Sequence, residues 1–260
     1  MSQFKPSQGF MSSVPTITKN LIIVNVLVWL STIILGRVGV DMEHYLGLHY
    51  IGSKTFLPTQ LITYMFMHDP GSIWHILFNM FGLFMFGRIL EQIWGPKRFL
   101  TYYLVTGIGA ALVQELTWYI DLRPFFEAIN NYLANGDTSV LSRYLNVQSG
   151  VIYPSSAILD AKEMLMDNMV TIGASGAIFG ILLAFGMLFP NAPLYFMFIP
   201  VPIPAKYMVI GYGVIELFAG VSNFSGDNVA HFAHLGGMLF GFFLVRYWKK
   251  KGIGNGFFLG

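Results

Sequence analysis

Thr171-Ile-Gly-Ala-Ser-Gly-Ala-Ile-Phe-Gly180 places one hydroxyl, that of Ser175, among glycines and apolar side chains, and an apolar run follows it. As the head of a membrane helix, the stretch reads as packing. Gly176 and Gly180 have the small-xxx-small spacing that lets helix backbones approach closely in lipid. As chemistry, Ser175 reads as a nucleophile at a helix N-terminus. What the rest of the chain brings to the same depth decides between the two.

The 260 residues are 55% hydrophobic and 11% charged, less than half the charge of an ordinary globular domain, which points to a membrane protein. Cysteine is absent, which excludes disulfides, thiolate chemistry and cysteine-based metal sites. A net charge of +2 is too small to suggest nucleic acid as a partner. Six apolar segments, beginning near Leu21, Trp74, Phe99, Ser175, Tyr207 and His234, approach the roughly 20 residues a bilayer needs, and the fourth and sixth look short. The expected fold is therefore an all-α polytopic membrane protein with six transmembrane helices. Residues 1–19 form an N-terminal tail, 20–250 the helical domain and 251–260 a basic C-terminal tail.

Lys and Arg set the orientation. With the N-terminus in the cytoplasm, Lys5, Lys19, Arg88, Lys97, Arg98, Lys206, Arg246 and Lys249 to Lys251 fall inside. Only Arg37, Lys54, Arg123, Arg143 and Lys162 fall outside. The connection between spans three and four, about 115–170, is long for a structureless loop. It is expected to hold two amphipathic helices lying on the outer membrane surface. One has Phe125, Phe126, Ile129, Tyr132 and Leu133 at helical spacing with Gly136 as C-cap, and the other is capped by Ser155 or Ser156.

Ionisable and strongly polar groups inside spans are costly and mark function by default. Here they are His75 and Asn79 in span two, Ser175 at the head of span four, Glu216 in span five and His234 at the head of span six. Spans two, four and six run from outside to inside, so His75, Asn79, Ser175 and His234 share one outer depth. Gly237 and Gly241 repeat the glycine spacing directly below His234. Apposition of the two glycine faces brings Ser175 and His234 together. A hydroxyl about 3 Å from an imidazole is the basic unit of nucleophilic catalysis. Oxyanion donors would come from the free N–H groups at the head of span four and from His75 and Asn79, which lie on one helical face.

Each feature also has a plainer reading. The glycines and Ser175 pack helices, His75 with Asn79 is an interhelical hydrogen bond, and Glu216 is a proton relay or the partner of another polar group. His231 and His234 are spaced for a metal, but no carboxylate or third ligand is near in sequence, so no metal is expected. The absence of HExxH disfavours a zinc protease, that of GxGD an aspartyl protease, and Ala177 breaks the GxSxG elbow.

Four motifs, spanning about Gln60 to Gly241, carry a resemblance. They are "QLITYMFMH" followed by "HILFN" at 75–79, "GRILEQIWGPKRF" at 87–99, "GASGAIFG" at 173–180 and "AHLGGMLFG" at 233–241. The chain resembles the rhomboid intramembrane serine proteases in their six-helix prokaryotic form. The resemblance implies Ser175 as nucleophile, His234 as base, and His75, Asn79 and the Ser175 backbone N–H as oxyanion donors. It also implies Phe179 as an aromatic ring stacked on the base, and Glu91 as a structural acid at the tight cytoplasmic turn. No Asp is placed to orient His234, so the expectation is a dyad that needs no cofactor. The implied substrates are single-span or polytopic membrane proteins in a prokaryotic inner membrane, cleaved near its outer face, with both termini cytoplasmic. The sequence leaves the oligomeric state open. The fifth span and "VSNFSGDNVAHF" (221–232) would form the gate. The rival reading is a catalytically inactive rhomboid-like protein that binds membrane clients.

Overall fold

The computed structural model describes residues 14–148, 150–195, 201–222 and 229–252, and they are mostly helical. In chain order the elements are α1 (Thr16–Gly36), α2 (Met42–Leu46), β1 (Leu48–His49), α3 (Gln60–Thr63), α4 (Ile73–Gly82), α5 (Arg88–Trp94), α6 (Pro96–Asn135), α7 (Ser155–Asp167), β2 (Val170–Thr171), α8 (Ser175–Leu188), β3 (Pro193–Tyr195), β4 (Pro202–Pro204), α9 (Ala205–Ser222) and α10 (His231–Lys250). A π-helical turn at Leu83–Gly87 joins α4 to α5 into one continuous rod.

Among the described residues, four helices are long and apolar enough to cross a membrane: Thr16–Gly36, Ile73–Trp94, Pro96–Asn135 and Ala205–Ser222. That is two fewer than the apolar segments suggested. α8 is apolar but has 14 residues, about 21 Å at 1.5 Å per residue, against a hydrocarbon core of about 30 Å. α10 has 20 residues, but His231, His234 and Arg246 lower its apolar character.

α8 lies at the centre because glycine lets α6 and α10 close on it. A methyl carbon placed on Gly176 would fall 2.5 Å from the Ala110 Cβ of α6, and one on Gly180 would fall 2.7 Å from Thr106. On Gly237 it would lie 1.8 Å from the Gly176 carbonyl oxygen, so α10 rests on α8 backbone to backbone. Gly241 faces α6 instead, where the same carbon would meet the Tyr102 hydroxyl at 2.3 Å. Tyr102 donates to the Gly180 carbonyl at 2.8 Å and Tyr64 to the Gly107 carbonyl at 2.7 Å, which ties these close-packed backbones further. Below them, Trp94, Tyr102 and Trp248 form an aromatic floor.

Three expectations are corrected. The segment around Phe125 is not a separate surface helix. It continues α6, whose 40 residues run through Pro124 and end at Gly136 in the left-handed region (φ 74°). Proline removes one helical hydrogen bond, but Phe125, Ile129 and Tyr132 bury one face of the helix. Phe125 packs on Tyr144 at 5.5 Å, and the Tyr132 hydroxyl bonds both the N–H and the carbonyl of Tyr153. The second helix, α7, is present, but its N-cap position is Pro154 and no side chain caps it, so Ser155 and Ser156 sit inside its first turn. Glu91 is buried as a structural acid, but among the described residues its carboxylate bonds the head of α1. It accepts from the N–H groups of Ile17 and Thr18 and from the Thr18 hydroxyl at 2.7–2.8 Å. The reason is that the head of α1, which begins after Pro15 without a side-chain cap, carries unpaired N–H groups and the positive end of the helix dipole.

The approach to Ser175 is held on both sides. β2 pairs antiparallel with β1, Leu48 opposite Thr171 and His49 opposite Val170. Gly173 then donates its N–H to the Tyr64 carbonyl at 3.0 Å. α7 is pinned to the segment after β1 by the Ser53 hydroxyl, which donates to Asp167 at 2.6 Å, and by the Lys54–Glu163 pair.

Candidate active site

Ser175 is the first residue of α8, and His234 lies one turn into α10. With Gly237 seated on Gly176, their side chains meet. Ser175 Oγ is 2.7 Å from His234 Nε2. Phe179, one turn below Ser175, lies flat on the His234 ring with centroids 4.2 Å apart and planes 7° from parallel. The Phe179 ring therefore covers one face of the His234 imidazole, whose Nε2 edge is toward the hydroxyl. His234 itself is 7% exposed.

Opposite stands α4. A methyl carbon on Gly173 would lie 2.9 Å from His75 Nε2 and 3.6 Å from Ser175 Oγ. Gly173 also has φ 128°, which L side chains rarely adopt. The missing side chain is what lets the His75 ring tip reach the space beside Ser175. The Asp69 N–H points at His75 Nδ1 at 3.4 Å. A nitrogen that accepts carries no proton, so this long contact favours the proton on Nε2, the edge facing the serine. His68 packs edge-on against His75 at 5.0 Å. Burial, reinforced by His75, pushes its imidazole down to about 3, so it is a neutral wall. Asn79 is buried and spends one amide hydrogen on the His75 carbonyl at 2.8 Å. An amide has two such hydrogens.

His75, Asn79, Ser175, Phe179 and His234 all line one open cavity of about 1060 Å³, with Trp74, Phe78, Trp118 and Met169 among its apolar walls. The first N–H groups of α8 open on the same side and have no partner within the helix. A nucleophile, an adjacent imidazole and convergent N–H donors in one cavity have the chemistry of an acyl-transfer site.

Two features escaped the sequence. The sequence assigns Gly173 no role, although a glycine two residues before a candidate nucleophile is itself a sign of close approach. Glu216 stands out in the sequence as a costly intramembrane acid, but nothing local names its partner. The structure places it against α10, where Oε2 is 2.9 Å from His234 Nδ1 and 2.6 Å from His231 Nδ1. The sequence reading places no Asp beside His234; the structure sets a glutamate, from a different helix, against its Nδ1. The ground for setting a metal aside changes as well, since Glu216 supplies the third ligand atom that His231 and His234 lacked in sequence.

The family model for the Rhomboid domain matches residues 55–119 and 136–251. The chain belongs to the rhomboid family. The matched stretches include every residue of the cavity named above. Among curated relatives, RHOMBOID-like protein 12, mitochondrial, of Arabidopsis thaliana is 31% identical over 180 residues, 68% of this chain and 42% of that protein. Rhomboid-like protein 16, chloroplastic, of the same plant is 24% identical over 84% of this chain and 58% of its own length. Rhomboid protein 1, mitochondrial, of Saccharomyces cerevisiae is 26% identical over 77% of this chain and 44% of its own. The chain thus spans about half the length of these relatives. Between its two matched stretches the rhomboid match skips 120–135, the far end of α6.

Proposed function

We propose that the protein is an intramembrane serine endopeptidase that hydrolyses a peptide bond in or near the transmembrane segment of membrane-protein substrates. The observation that carries this reading is the 2.7 Å contact between Ser175 Oγ and His234 Nε2 at the head of a short helix. His234 takes the serine proton as Oγ attacks the scissile carbonyl. The oxyanion faces the Ser175 backbone N–H, His75 Nε2 and the Asn79 amide. His234 then returns the proton to the leaving amine, and water hydrolyses the acyl-enzyme by the same steps in reverse. No cofactor enters the scheme.

The reading includes a six-helix bundle in which α8 and α10 are the fourth and sixth spans. The brevity of α8 would leave the outer half of the site wet. A carbonyl in a helix is already hydrogen-bonded, so the substrate helix must unwind, which favours small or helix-breaking residues near its outer end. α9 and the connection after it form the gate in this reading, and residues 223–228 of that connection lie outside the described residues. The part of 115–170 beyond the bundle stands at the outer face, both termini are cytoplasmic, and the membrane is a prokaryotic inner membrane. The organellar locations in the relatives' names belong to those proteins.

The test is cleavage of a single-span substrate in liposomes by the wild type, Ser175→Ala and His234→Ala. Cleavage by the wild type alone is expected, and cleavage by Ser175→Ala would overturn the assignment. A wild type that binds the substrate but neither cleaves it nor reacts with a fluorophosphonate would identify a client-binding, inactive protein instead.

A further inference from the structure

We propose that Glu216 is a positioning residue for His234, and that His231 holds Glu216 in place from the other side. The inference rests on the reading of Ser175 and His234 as the reacting pair and extends that pair to four linked side chains on three helices. To take the Ser175 proton, His234 must present a lone pair at Nε2. A neutral imidazole carries a single N–H, so its proton must then sit on Nδ1. Glu216 Oε2, 2.9 Å away, is an acceptor at that position and selects this tautomer. When Nε2 is protonated, the carboxylate stabilises the imidazolium without itself changing protonation state.

A lone carboxylate on a flexible side chain swings freely. Here the same oxygen also accepts from His231 Nδ1 at 2.6 Å. His231 and His234 are three residues apart, so both rings address α9 from one face of α10. Two N–H donors converging on one oxygen fix the acid and offset its burial, since Glu216 is 8% exposed. The three side chains also have the composition of a metal site, with ligand atoms within 4.8 Å of one another. A cation on His234 Nδ1 would leave the remaining proton on Nε2 and remove the base. Productive geometry therefore belongs to the hydrogen-bonded state.

The experiment compares Glu216→Gln, Glu216→Asp and His231→Gln in the full chain in liposomes, reading kcat and KM for a single-span substrate and the unfolding temperature. Gln keeps the size, loses the charge and can turn an N–H toward Nδ1. The expected result is a kcat about 100-fold lower with KM within about threefold and little change in unfolding temperature. Asp is expected to recover at least about tenfold over Gln, and His231→Gln to lose about three- to tenfold. Wild-type kcat in Glu216→Gln would overturn the proposal. So would a loss that follows unfolding temperature, with Asp no better than Gln, because that marks a structural tie alone. A chelator should leave wild-type turnover unchanged, and loss of activity restored by zinc would overturn the proposal in favour of a metal. If Glu216→Gln does not fold, the rate of fluorophosphonate labelling of Ser175 in Glu216→Asp carries the test: slower than wild type supports it and an equal rate overturns it. Cleavage by Ser175→Ala would instead strike at the underlying reading.

Discussion

α10 meets its two neighbours in opposite ways. Against α8 the contact is backbone on backbone, with Gly237 on Gly176 and no room for a single added carbon. Against α9 the polar contact at the level of the site is one carboxylate reaching two imidazoles, with Gly220 set against the Phe232 ring beside it, while Val214, Ile215 and Leu217 of α9 point outward, each more than half exposed. Of the 18 residues of α9, three are buried, and Glu216 is one of them. Close packing sets the Ser175–His234 distance, so that distance tolerates almost no change. The acid arrives on a helix with little packing of its own, so its placement depends on hydrogen bonds. A displacement of α9 by even 1 Å would stretch those bonds while leaving the serine–histidine contact intact.

Substitutions can break this contrast, and the strongest falls on the packed side. Gly237→Val forces α8 and α10 apart at a backbone oxygen that has nowhere to move. We expect cleavage to fall to background and stability to drop by about 3 kcal/mol or more, read as turnover in liposomes and thermal unfolding in detergent. Near-normal turnover would show that the glycine contact does not set the reacting distance. His75→Ala tests the opposite wall. Loss of one oxyanion donor predicts a kcat about 100-fold lower with KM little changed. Gly173→Ala sharpens the same point without touching a polar group. Its methyl meets His75 Nε2 and strains a φ of 128°, which predicts about 10- to 100-fold loss of kcat and a stability cost of about 1–3 kcal/mol. A variant with full activity would mean that His75 does not work from that position. The smallest effect belongs to the outward face of α9. Ile215→Ala is expected to change stability by less than about 0.5 kcal/mol and turnover by less than twofold. A large loss there would mean that α9 is held by more than its polar tie.

Much of the site was legible because its parts sit within short motifs. Ser175 with its glycines, His234 three residues before Gly237, and His75 one turn before Asn79 each declare a helix face. Charge bias then set them at one depth. Glu216 was visible only as an acid in an apolar run. Its partners lie 15 and 18 residues onward on another helix, and no local period reports which face of α9 meets α10. Where the sequence suggests a separate surface helix, α6 runs on through Pro124, because burial of Phe125, Ile129 and Tyr132 outweighs the hydrogen bond the proline removes. Likewise Glu91, inside a motif that read as a turn, serves the head of α1 more than 70 residues earlier in the chain.

The claim on which everything else rests is that Ser175 is a hydroxyl made nucleophilic by His234. Treatment of the reconstituted protein with a fluorophosphonate, followed by mass spectrometry of its peptides, tests this directly. One adduct is expected, on Ser175, and it should be lost in His234→Ala while that variant keeps its fold. An adduct on any other residue, or labelling of Ser175 that proceeds at the same rate without His234, would contradict it.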